Sequence, residues 1–157
     1  MTSMKRRIFL KGSLATGAVG IAVSTGLLTP RASLAAWSKA AFEAKDVNAA
    51  VSALYGSSSM TDSDKISIKA PDIAENGAVV PVSITTSIDG ASSISIIADQ
   101  NATPLTAEFL LGPGAEGYVS TRIKMGKTAN VIAVVKAGDQ IYSAKKEVKV
   151  TIGGCGG

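Results

Sequence analysis

The stretch VIAVVKAGDQIYSAKKEVKV, residues 131–150, decides the fold class. Two β-prone runs, VIAVVKA and QIYSAKKEVKV, flank the pair Gly138-Asp139. Such a pair between strand-like runs signals a two-residue hairpin, because a tight connection needs left-handed backbone that glycine adopts without steric cost. Beyond it, Val148, Val150 and Ile152 oppose Lys149 and Thr151. A period of two puts the apolar side chains on one face of a strand.

The same period recurs upstream. Ile66 and Ile68 alternate with Lys65, Ser67 and Lys69; Val80, Val82 and Ile84 with Pro81, Ser83 and Thr85; Ile94 and Ile96 with Ser93 and Ser95; and Val119, Thr121, Ile123 and Met125 with Ser120, Arg122 and Lys124. Each run reads as a half-buried strand. The punctuation is turn chemistry: Asn76-Gly77, Asp89-Gly90, Gly112-Pro113-Gly114 and Gly126. About seven short strands in roughly 90 residues predict an all-β protein, an immunoglobulin-like antiparallel sandwich of two sheets. The single cysteine rules out an internal disulfide, so the core must rest on Val, Ile and Leu burial. Pro81 lacks a ladder donor, which predicts an edge strand or a bulge there.

A short helix is expected over about residues 40–55. Val47, Ala50, Val51 and Leu54 fall at helical spacing, Asp46 stands where an N-cap belongs, and Gly56 with three serines ends the run. Its apolar stripe is read as packing against the body, with partner binding as the alternative.

Charge excludes one function class. Of sixteen basic residues, Lys5, Arg6, Arg7, Lys11 and Arg31 precede residue 37, where there are no acids. Removing those five leaves eleven basic against twelve acidic residues. The remainder is near neutral, has one Trp and carries no basic stripe, so nucleic-acid binding is not expected.

Residues 1–36 read as an export signal. KRRIFLK is followed by an apolar and small-residue stretch from Gly12 to Leu28, and Ser33, Leu34, Ala35 and Ala36 supply small residues for cleavage. The pair Arg6-Arg7 before Ile8, Phe9, Leu10 and Lys11 is of the twin-arginine type, which carries folded proteins to the periplasm. The alternatives are an ordinary secretory signal or an uncut anchor; at about 17 residues the stretch is at the short limit for a span. Once the signal is removed, no membrane attachment is expected. Export in a folded state calls for a cofactor or a partner acquired beforehand. There is no His, CxxC, GxGxxG or P-loop, so neither a cofactor nor a bound metal is expected. A partner protein remains.

Other candidate sites have bland readings. Arg122 and Lys124 in TRIKM read as a solvated strand face, Asp62 and Asp64 in TDSD as a polar loop, and Asn101-Ala102-Thr103 as a glycosylation match without weight after a bacterial export signal. Without histidine there is no Ser-His-Asp relay.

The sequence closes on TIGGCGG, with Cys155 between Gly153-Gly154 and Gly156-Gly157. Four glycines around one thiol predict a flexible arm, residues 153–157, beyond a carrier domain spanning 37–152. The three extended steps from Ile152 to Cys155 would hold the sulfur on the order of 10 Å beyond the last strand. No imidazole is available to deprotonate the thiol, and a terminal carboxylate two residues away disfavours the thiolate. Activation must come from whichever protein receives the arm. That is the geometry of a substrate carrier and not of an enzyme.

The terminal VKVTIGGCGG, the segment APDIAENGAVVPVSI, the NATPL stretch and TRIKM, together with the twin-arginine signal, resemble the SoxY family, sulfur-carrier subunits of the bacterial sulfur-oxidising system. The resemblance implies an immunoglobulin-like sandwich paired with a second, signal-less sandwich subunit, SoxZ. It implies that Cys155 carries the intermediates of thiosulfate oxidation. A c-type cytochrome complex would load thiosulfate onto the thiol, a hydrolase would release sulfate, and a sulfur dehydrogenase would oxidise the remaining sulfane sulfur. Two rivals stay open: a sulfur carrier of the ubiquitin-like kind using a Gly156-Gly157 thiocarboxylate, and an extracytoplasmic structural or adhesion module that dimerises through Cys155.

Overall fold

A computed structural model describes residues 38–151. Its frame is the hairpin of β8 (Ala129–Ala137) and β9 (Gln140–Val150), in which Ala137 faces Gln140 across Gly138-Asp139. Gly138 has φ 56° and, among the described residues, no non-glycine residue has a positive φ, the pattern of a type II′ turn whose twist suits the flanking strands. The expected two-residue hairpin is present.

Two sheets build the body. β5 (Ala91–Ala98) pairs antiparallel with β8 on one side and with β6 (Leu105–Leu110) on the other. On the far edge of β9 lie two short parallel strands, β1 (Thr61–Asp62) and β3 (Ile73–Ala74). The larger sheet therefore runs β1-β9-β8-β5-β6, with β3 also on β9. The smaller one runs β2-β4-β7, from β2 (Ile66–Lys69), β4 (Val80–Thr86) and β7 (Tyr118–Ile123). Ile66, Val82, Ile84, Val119 and Ile123 of the small sheet meet Ile94, Ile96, Val131, Val135 and Val148 of the large one in a buried core. Fully burying each such side chain contributes about 1.5 to 3 kcal/mol. The all-β sandwich expected from the alternation is the fold of the described residues.

Several local expectations are corrected. The single helix is two, α1 (Lys39–Glu43) and α2 (Val47–Tyr55). The break has a physical reason: Asp46 has extended backbone and caps α2, its Oδ1 accepting the Ala49 N–H at 2.8 Å. Gly56 closes α2 with φ 78°. Ala50 and Val51 of α2 are buried against Ile97, Leu105, Val134 and Ile141 on the outer face of the large sheet, so the stripe packs on the body, as read.

That helical cover buries β5 on both faces from Ser93 to Ala98, so the strand is not half-buried there. Ser93 and Ser95 lie beneath α2 at 3% and 0% exposure. The Tyr55 hydroxyl satisfies both, at 3.0 Å from Ser93 Oγ and 2.7 Å from Ser95 Oγ. Pro81 sits on the central strand of the small sheet and not on an edge strand. Its second neighbour, β2, pairs only with residues 83–86 of β4, so the missing donor falls where β4 is paired on one side alone. In TDSD, Thr61 and Asp62 form β1, and Asp62 Oδ1 accepts from Ser143 Oγ at 3.0 Å. No helix among the described residues is long and apolar enough to cross a membrane.

Candidate functional site

Among the described residues, nothing resembles a reaction centre. No three Cys, Asp or Glu side chains gather as metal ligands would, and every buried side-chain polar atom has a hydrogen-bond partner. The thiol of the chain, Cys155, and the glycines 153, 154, 156 and 157 lie outside the described residues, as do Arg6 and Arg7. What the structure defines is the root from which that thiol departs.

The root is held on three sides. β3 lies parallel to the end of β9, with Ile73 opposite Lys149 and Ala74 opposite Val150. The Lys149 N–H donates to the Asp72 carbonyl at 2.9 Å and the Thr151 N–H to the Ala74 carbonyl at 3.1 Å. From the other side, the Val150 N–H donates to Thr128 Oγ1 at 3.0 Å. Lys146 adds a tether: its Nζ donates to the Ala70 carbonyl at 2.7 Å and lies 3.0 Å from Asp72 Oδ1. That ion pair is largely exposed at Asp72, so its value is geometric more than energetic.

Gly77 closes the third side. Its carbonyl accepts the Met125 N–H at 2.7 Å, which brings the turn after β3 hard against the end of the small sheet. A Cβ at this position would collide with the Met125 carbonyl oxygen and stand 2.8 Å from Val150 Cγ1. The glycine is required by close approach, since its φ is not left-handed. The turn is pinned by Asn76, whose Oδ1 accepts the Ala78 N–H at 2.9 Å.

The segment APDIAENG thus does one job: residues 70–77 clamp the last strand up to Thr151. In the sequence Asn76-Gly77 reads only as a turn, and nothing in residue type marks a role for the preceding residues. The signal available was a glycine followed by apolar Val79 and Val80, which does not reveal the non-local partners Met125 and Val150. NATPL and TRIKM come together elsewhere. Asn101 Nδ2 donates to the Lys124 carbonyl at 2.7 Å, and its Oδ1 accepts the Gly126 N–H at 3.0 Å. Arg122 and Lys124 are exposed, as expected for a solvated face.

A strand fixed by backbone hydrogen bonds on both edges delivers the chain to residue 151 in one direction, and the only sulfhydryl of the sequence follows four residues later.

A family model described as sulfur oxidation protein SoxY matches residues 51–155, a span that includes the clamp and Cys155. The structure of the sulfur carrier protein SoxY from Chlorobium limicola f thiosulfatophilum is similar to this one, with a TM-score of 0.63 and 47% identity, over 73% of this chain and 99% of that chain. No curated protein matches the chain. The sandwich, the clamped last strand and a family match that runs through to the lone thiol establish that this chain belongs to the SoxY family of sulfur oxidation proteins.

Proposed function

We propose that this protein is a periplasmic sulfur carrier that binds thiosulfate-derived intermediates covalently on Cys155 and presents them to partner enzymes. One observation carries the reading: the family match extends to Cys155, the only thiol of the chain, four residues beyond the last clamped residue, Thr151, of a strand end held by residues 70–77. A fixed root and four flanking glycines divide the labour between a rigid handle and a slender tip. Such a tip enters a narrow active site where a bulkier one would jam.

The sequence holds no histidine to deprotonate the thiol, so activation falls to the proteins that receive it. A c-type cytochrome complex loads the carrier: the Cys155 thiol gives up its proton and bonds to the outer sulfur of thiosulfate, and the two electrons released pass to the cytochrome. A hydrolase then directs water to the sulfone sulfur. The bond between that sulfur and its neighbour breaks, sulfate leaves with two protons, and a persulfide stays on Cys155. A sulfur dehydrogenase then oxidises the outer sulfane sulfur to a sulfone, taking three oxygens from water, releasing the protons and passing six electrons to a c-type cytochrome, and a second hydrolysis frees sulfate and restores the Cys155 thiol. The carrier supplies attachment and transport at each stage, and the partners supply the activation.

The paired Arg6-Arg7 supports export of the folded chain by the twin-arginine route, together with a SoxZ-like sandwich subunit that has no signal of its own. Turnover by the partner enzymes tests the reading. Cys155→Ser is expected to abolish substrate loading with the fold unchanged, while Gly154→Val keeps the thiol and slows every partner step. Full loading of the Cys155→Ser variant would refute the carrier role, and equal turnover of Gly154→Val would refute the steric role of the glycines.

A further inference from the structure

β6 ends the larger sheet and β7 ends the smaller, so among the described residues both strands keep a free edge on the open side of the sandwich. Thr106 and Ala107 of β6 and Thr121 and Arg122 of β7 line a common groove there, of about 680 Å³. An edge strand presents a row of backbone N–H and C=O groups without partners, and an extended chain that adds to it satisfies them.

The charge of the groove is one-sided. Arg122, Lys124 and Lys127 line it, and no Asp or Glu does. None of the three forms an ion pair with another described residue. Asn101 fixes the wall that carries them, through its bonds to the Lys124 carbonyl and the Gly126 N–H. At the other end of the same two strands, Leu110 is 71% and Tyr118 52% exposed. Apolar anchors and a cationic groove thus follow one line.

Three occupants can be compared. A free oxoanion would meet the cations and leave both backbone edges and the apolar end unused. A second copy of this chain, pairing β7 to β7 about a two-fold axis, would bring a second set of the same three cations to the edge and no carboxylate to meet them. An acidic strand from a different chain satisfies the edge, the cations and the exposed Tyr118 together. We infer that this groove docks an extended, acidic segment of a partner protein, which adds as a strand to the free edge of β7 and sets its carboxylates against Arg122, Lys124 and Lys127. The inference rests on edges and charge and is independent of the chemistry at Cys155.

The test is a titration of the full-length ¹⁵N-labelled protein with a blocked hexapeptide of alternating Glu and Val, read by amide shifts and amide exchange. The expected result is protection of alternate backbone amides along β7, with no protection from the matching Lys-Val peptide or from sodium sulfate. Arg122→Glu with Lys124→Glu should weaken the peptide by about tenfold or more. Should that double variant fail to fold, raised sodium chloride on the native protein gives the same readout, since surface charge pairs are screened. Tyr118→Ser should weaken binding while leaving its salt dependence in place. No protection on β7, equal protection by the Lys-Val peptide, or the same shifts with sulfate alone would overturn the inference. So would a variant ending at Thr151 that binds the peptide at least tenfold more tightly, because the groove would then belong to the chain's own tail.

Discussion

Replacing Gly77 with Ala tests whether the last strand is held by close backbone contact. The added methyl would collide with the Met125 carbonyl oxygen and stand 2.8 Å from Val150 Cγ1. The two backbones cannot simply part, because the Met125 N–H already donates to the Gly77 carbonyl at 2.7 Å. Crowding of this kind costs about 1 to 3 kcal/mol. For a domain of this size that corresponds to a fall of roughly 4 to 12 °C in Tm. Urea unfolding measures the cost, and amide exchange at Val150 and Thr151 shows where it is felt, since their N–H groups bond Thr128 Oγ1 and the Ala74 carbonyl. Gly90→Ala is the control. Gly90 has φ 69° with open space around it, so its substitution costs about 1 kcal/mol of backbone strain and leaves the exchange of Val150 and Thr151 unchanged. A Gly77→Ala protein as stable as the parent, with unaltered exchange at residues 150 and 151, would refute the clamp.

Other substitutions probe the helical cover. Tyr55→Phe removes the bonds to Ser93 and Ser95 and leaves two buried hydroxyls without that partner; calorimetry should record a loss of about 1 to 3 kcal/mol. Burial raises the Tyr55 phenol above the usual 10.0, so the unfolded chain ionises first. The stabilisation is complete below pH 10 and declines as pH rises through the folded value, and in Tyr55→Phe this part of the alkaline decline should disappear. Asp46→Ala deprives the Ala49 N–H of its acceptor and is expected to cost about 0.5 to 2 kcal/mol in denaturant unfolding.

Much of this architecture can be read from local pattern. β4 alternates because one face meets the core and the other meets solvent, and the β8–β9 hairpin is announced by Gly138, whose backbone is left-handed. Asp46 and Gly56 bracket α2 for equally local reasons. β6 escaped because its middle residues are all partly exposed, which leaves no period of two. Ser93 and Ser95 look like solvent-facing positions, and only the helix above them makes them interior. Cys155 stands out from composition alone. Its clamp does not, because the bonds from Lys149 to Asp72 and from Thr151 to Ala74 join backbone atoms and leave no mark on residue type. Gly77 is ambiguous for a related cause: Asn-Gly is a turn signal, and the contacts that forbid a side chain come from residues 125 and 150.

In a carrier of this kind one sulfur atom bears the cargo. Intact-mass analysis with peptide mapping, applied to the protein after exposure to thiosulfate and its co-purified partners, tests it most directly. The expected adducts of thiosulfate-derived sulfur are confined to the peptide containing Cys155 and released by a thiol reductant. An unmodified Cys155 in protein that supports thiosulfate oxidation, or sulfur found on the Gly157 carboxyl group instead, would contradict it.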